Sequence, residues 1–164
     1  MTIGRLVLTA ALVAATLGAG PPGAPIHGVK CEAMEGNVLH IHQHVAIFDH
    51  GKPVGIPADV GQSIVGQCLY WTHTHTPDGI IHVESPGFRT FTLGDFFAVW
   101  GQPLSRAGVA GAKTRHGETV TVWVDGRRFG GDPRSIELTQ HLDVTLDVGA
   151  PARKPAPFTA WNGN

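Results

Sequence analysis

The chain has 164 residues, enough for one domain with a real core and too few for two ordinary ones. It is 42% hydrophobic and only 15% charged, with 22 Gly and 12 Pro, which suits a turn-rich β domain better than a helical bundle. A net charge of −1 gives no electrostatic case for binding nucleic acid or an anionic membrane surface. Ten histidines stand against 12 lysines and arginines together, and six of the ten fall in two short bursts.

Residues 1–19 read as a signal peptide. Arg5 precedes an apolar run from Leu6 to Leu17, and Leu17-Gly18-Ala19 supplies the small-residue ending of a cleavage site. The run, about a dozen residues, is short for a bilayer span; an uncleaved amino-terminal anchor is the alternative. Cys31 is a poor lipoprotein site, because Gly28-Val29-Lys30 before it makes a weak lipobox. A secreted or periplasmic protein is expected, with no nucleic-acid partner and no stable membrane insertion after cleavage. In an oxidising compartment Cys31 and Cys68 are expected to form a disulfide. Its loop of about forty residues would make it worth roughly 3–4 kcal/mol in the chain-entropy model. The competing reading takes Cys68 as a thiolate metal ligand.

Residues 20–38 read as a lead-in segment, flexible at its start, residues 39–149 as the His-rich β domain, and residues 150–164 as a Pro-rich tail. Within the domain, Val45-Ala46-Ile47-Phe48 is expected to turn at His50-Gly51 and return through Pro53-Val54-Gly55-Ile56. A second hairpin spans Leu69 to Ser85 around Thr76-Pro77-Asp78-Gly79. The one helix is expected from Thr92 to Gly101, with Thr92 as its cap, Asp95 in its first turn and Gly101 at its end. Its Phe96, Phe97 and Trp100 are assigned to the core. A third hairpin turns at Asp125-Gly126, and Ile136 to Val148 supplies one or two closing strands. The expected fold is mainly β (α+β): antiparallel hairpins with one short helix in a single compact domain.

The first burst is His40-Ile41-His42-Gln43-His44. Side chains alternate faces along a strand, so His40, His42 and His44 point one way while Ile41, Val45 and Ile47 point to the core. Three imidazoles in a row is not a packing solution. The second burst is His73-Thr74-His75, answered across the turn by His82-Val83-Glu84. A four-residue loop over Thr76–Gly79 sets His73 opposite His82 and Trp71 opposite Glu84. Cross-strand Cβ atoms then stand about 4.5–5.5 Å apart, near enough for two rings to reach one ion. A three-residue loop with Gly79 as a bulge would instead turn His82 and Glu84 to the other face.

Neutral imidazole suits zinc, copper, iron and nickel, and an H-x-H pair on one strand offers two ligands at fixed spacing. Seven candidate metal ligands result: His40, His42, His44, His73, His75, His82 and Glu84. They exceed the needs of one ion, which suggests two ions, or some of these residues orienting the others. The bland alternative is a histidine-rich solvated face. Isolated His27, His50, His116 and His141 read as surface or satisfied structural residues. Copper is the first expectation and zinc the second; a blue-copper site fits poorly, because it needs a Cys thiolate and usually a weak axial Met, and Met34 is the only methionine left after export.

The motifs His73-Thr74-His75…Gly79-Ile80-Ile81-His82-Val83-Glu84-Ser85-Pro86 and Leu93-Gly94-Asp95-Phe96-Phe97-Ala98-Val99-Trp100-Gly101 resemble an uncharacterised family of exported bacterial His-rich proteins. The resemblance runs from about His40 to Gly149. It implies export and a shared histidine framework, and no particular activity. Two functions from different classes are therefore expected as candidates. One is a metal carrier, buffer or sensor. The other is a mononuclear three-histidine metalloenzyme with Glu84 as general base or orienting partner.

Overall fold

The computed structural model describes residues 22–149, 154–161 and 163; the signal-peptide reading lies outside them. In chain order the strands are β1 (Cys31–Glu32), β2 (Leu39–Asp49), β3 (Lys52–Val54), β4 (Gln62–Ser63), β5 (Cys68–Tyr70), β6 (Thr72–His73) and β7 (Ile80–Ser85). Helix α1 (Leu93–Trp100) follows. Then come β8 (Leu104–Ser105), β9 (Gly108–Val109), β10 (Ala112–Lys113), β11 (Val120–Val124), β12 (Arg127–Arg128) and β13 (Leu142–Val148). Among the described residues the fold is mostly β with one α-helix, in a single compact domain, as expected.

The main sheet runs β12-β11-β13-β2-β7-β6, with β3 paired to β2. Strand β2 is its axis, because its eleven residues pair with neighbours on both sides. One face is apolar: Val45, Ile47, Ile81, Val83, Val144 and Leu146 are almost fully buried there, alternating with outward residues at period two. Leu93, Phe96 and Phe97 of α1 complete the same core. Thr92 caps α1 as expected: its Oγ1 accepts from the Asp95 N–H at 3.2 Å, and the Asp95 carboxylate accepts from the Thr92 N–H at 3.0 Å. Gly101, at φ 71°, ends the helix in the left-handed region. Both two-residue turns hold, with Asp49 opposite Lys52 and Val124 opposite Arg127.

Three features go beyond the hairpin scheme. First, β13 runs parallel to β2, with Asp143 opposite His44 and Val144 opposite Val45. Second, the lead-in is not wholly flexible. Val29 is fully buried, Ile26 and Val29 bridge, and β1 pairs with β5 beside the Cys31–Cys68 disulfide. A valine with a place in the core and a covalent tether order this segment. Third, the tail folds back. The Phe158 ring stacks on His44 at 3.7 Å between centroids, and its N–H donates to Asp143 at 3.0 Å. Trp161 packs on His141 and Phe158, so two tail aromatics cover one end of the sheet's outer face. Among the described residues, no helix is long and apolar enough to cross a membrane.

Gly79 is the tightest point of the second hairpin. It sits at φ +83°, and a Cβ there would meet the Val45 carbonyl oxygen at 2.6 Å. A Gly79→Ala variant is expected to lose about 1–3 kcal/mol in urea denaturation, the usual cost of forcing a side chain into this backbone region.

Candidate metal centre

Three adjacent strands deliver the histidines. In β2 and β7, His42 lies opposite His82, and in β7 and β6, His82 lies opposite His73. These imidazoles therefore form a row straight across the sheet on its outer face. One step along, His40 pairs with Glu84, whose N–H donates to the Trp71 carbonyl at 2.8 Å. This is the register of the four-residue loop, and it carries Glu84 onto the histidine face. Ile41, Val83 and Thr72 form the matching row beneath, facing the core.

The donor atoms are close. His40 Nε2 lies 3.0 Å from His42 Nε2, and His73 Nε2 lies 3.2 Å from His75 Nε2. Ligands at 2.0–2.1 Å around a tetrahedral ion stand about 3.3 Å apart, so each H-x-H pair is spaced as two corners of one coordination sphere. Glu84 spans the two pairs. Its Oε1 is 3.0 Å from His40 Nε2 and 3.6 Å from His82 Nδ1, and its Oε2 is 3.8 Å from His73 Nε2. The His82 ring sits between, with centroids 4.5 Å from His42 and 4.4 Å from His75. Two donor groups result, His40-His42-His82-Glu84 and His73-His75-His82-Glu84, each with all donor atoms within 4.8 Å of one another. Both are close enough to hold a metal ion.

Burial grades the cluster into floor and rim. His73 and Glu84 are buried to 1% and 4% side-chain exposure, and His82 to 10%, while His40 and His75 are exposed at 53% and 43%. The floor carries polar atoms with no hydrogen-bond partner: His42 Nδ1, His82 Nδ1 and Glu84 Oε2. A buried polar atom left unpaired costs about 1–3 kcal/mol, so His82 Nδ1 and Glu84 Oε2, which lie 3.6 Å and 3.8 Å from other donors of the cluster, point to a ligand that satisfies them; His42 faces the cluster through Nε2 and its Nδ1 takes no part. His73 Nδ1 is paired with the Tyr70 carbonyl at 2.9 Å, which fixes the tautomer and leaves Nε2 with its lone pair aimed at the cluster.

Burial also holds the floor imidazoles neutral, the ligating form. It pushes His73 down to about 4 and His82 down to about 3, the neighbouring rings adding to the effect, and it lowers His42 in the same way. The Glu84 carboxyl is raised by burial and by the nearby Glu35. Below the ordinary histidine value of 6.5 the unfolded chain takes up protons that the folded chain refuses. The metal-free protein is therefore expected to lose stability steadily as pH falls from 6.5 towards about 4, with the loss absent above 6.5. Melting temperatures of chelator-treated protein across that window check this; a flat profile would contradict neutral buried rings.

Two candidates fall out of the cluster. His44, although on the outer face, donates from its Nδ1–H to the Asp143 carboxylate at 2.9 Å and is stacked on Phe158, outside both donor groups. Its parallel neighbour β13 places Asp143 directly opposite. Cys68 is bonded to Cys31 and is no thiolate ligand. Glu35 is the group that sequence reasoning passed over: its Oε1 lies 3.7 Å from His75 Nε2 at the rim. It carries no spacing signature; the disulfide, the β1–β5 pairing and the Trp71 hydrogen bonds to Lys30 and Glu32 bring its loop to the histidines. Of the isolated histidines, His50 is held between Asp49 at 2.6 Å and Glu118 at 3.0 Å, which raise it. His27 faces Asp95 at 3.9 Å, His116 is exposed, and His141 packs on Trp161.

No family model, curated protein or solved structure matches the chain.

Proposed function

We propose that the protein is an exported transition-metal-binding protein, copper first and zinc second, acting as a carrier, buffer or sensor in the cell envelope. The observation that carries this reading is the convergence of five imidazoles and one carboxylate with partnerless floor atoms on one sheet face. An all-imidazole and carboxylate set without thiolate fits copper(II) or zinc better than copper(I). The exposed rim of His40 and His75 supports exchange of the ion with solvent or a partner. Export rests on the leader-like start, and the disulfide fits an oxidising compartment.

The enzyme reading needs Glu84 free to accept a proton. Here each Glu84 oxygen faces an imidazole nitrogen and the side chain is buried, which supports a ligand role over that of a general base. The test is elemental analysis and EPR on protein purified without an affinity His-tag. Tightly held copper with a nitrogen-rich type 2 signal, or stoichiometric EPR-silent zinc, is expected. No metal after purification and none taken up on titration would overturn the reading.

A further inference from the structure

The cluster has more donors than one ion takes, and their arrangement has a two-fold character. Each strand burst supplies one H-x-H pair whose Nε2 atoms are about one ligand–ligand distance apart, 3.0 Å in one pair and 3.2 Å in the other. The two pairs fall in different donor groups, and what the groups share is His82 and Glu84. The two Glu84 oxygens are divided between the groups: Oε1 towards His40, Oε2 towards His73.

We propose that this face is a dinuclear centre, with one ion on His40 and His42, a second on His73 and His75, and the Glu84 carboxylate bridging them. This rests on the metal-binding reading above and deepens it. The class of ligand is a pair of divalent borderline ions, each needing two imidazoles, one carboxylate oxygen and a further position that His82 or water fills. A single ion leaves one H-x-H pair and one buried carboxylate oxygen without a role. Two ions satisfy Glu84 Oε2, which otherwise lies buried with no partner. Glu84 is suited to bridging by its place: the next residue along β7 from the core row, clamped through its N–H to Trp71, so that its carboxylate stands between the two strand pairs. A carboxylate bridge also sets the ions a few ångströms apart, where two copper(II) spins couple.

The probe is copper(II) alone, titrated into the untagged full chain and followed by elemental analysis and EPR spin counting. Two equivalents are expected, with the integrated spin falling as the second enters. The exposed rim residues give variants that leave the fold intact: His40→Ala and His75→Ala should each lower the stoichiometry from two to one and restore a full single-spin signal. Glu84→Gln, of the same shape, should weaken uptake of the second ion at least tenfold and abolish the spin loss. One equivalent in the parent, lost in only one of the two rim variants, would overturn the dinuclear inference and leave metal binding standing. Two equivalents with undiminished spin, indifferent to Glu84→Gln, would overturn the bridge. No uptake by any of the four proteins would overturn both readings.

Discussion

Replacing Cys31 and Cys68 together by serine is expected to lower the stability of the protein by about 4 kcal/mol. The bond closes a loop with a sequence separation of 37, and the chain-entropy relation assigns that loop about 3.8 kcal/mol at room temperature. The secondary structure it holds is slight. Strand β1 has two residues and β5 three, so beside the bond the segment from Ile26 to Glu35 is held by a short ladder, by Val29 in the core and by the Trp71 hydrogen bonds to Lys30 and Glu32. The loss should reach the metal centre too, because Glu35 follows β1 by three residues and stands at the rim beside His75. Urea denaturation measures the effect. The parent in thiol reductant should coincide with the double variant, and the variant should ignore the reductant. A loss below about 1 kcal/mol would show that burial of Val29 and the β1–β5 ladder hold the segment without the bond.

His82→Leu is expected to make the metal-free protein more stable and to weaken its response to metal. His82 is buried, neutral, and has an Nδ1 with no partner. Leucine fills a similar volume without a polar atom to strand, and relief of the unsatisfied group contributes about 1–2 kcal/mol. In the parent, an ion present at a thousandfold excess over its Kd stabilises the fold by about 4 kcal/mol. His82 belongs to both donor groups, so the variant should keep only part of that gain, with water in the place of the lost ring, whichever ion is used. Thermal melts with and without copper give both numbers. The acid-dependent loss of stability should also flatten in the variant, since one of the depressed groups is gone. A metal-free variant less stable than the parent would mean that His82 is a packing residue, and the site would have to be rebuilt without it.

Much of this site was legible before any coordinates. Period-two alternation is enough to put His40 and His42 on the face opposite Ile41, but the sequence leaves the loop open between four residues and a Gly79 bulge, and it is the β6–β7 pairing that sets His73 against His82. Thr92, Asp95 and Gly101 announce their helix, because capping is local chemistry. What stayed hidden is what depends on distant chain. Period two says which face His44 takes but not which neighbour meets it there, and the parallel strand β13 supplies Asp143 from 99 residues away. Glu35 reaches the rim because a disulfide, a short ladder and the Trp71 hydrogen bonds draw its loop in. Phe158 and Trp161, in a segment that reads as a polar Pro-rich tail, find aromatic partners that no local pattern reveals. The surplus of ligands was visible as a number; its division by Glu84 into two sets needed the three strands side by side.

The row His42–His82–His73 lies across three strands, and this has a consequence for when a metal can be captured. No two of these rings are neighbours along the chain, so the unfolded polypeptide holds only isolated H-x-H pairs, weak chelators of any borderline ion. On the proposed reading, high affinity arises when β2, β7 and β6 come into register, and a slip by one residue would turn these histidines into the core. On the proposed reading, selectivity is then settled by geography as much as by coordination chemistry. The ion retained is drawn from the supply in the compartment where the chain folds, not from the one where it is made.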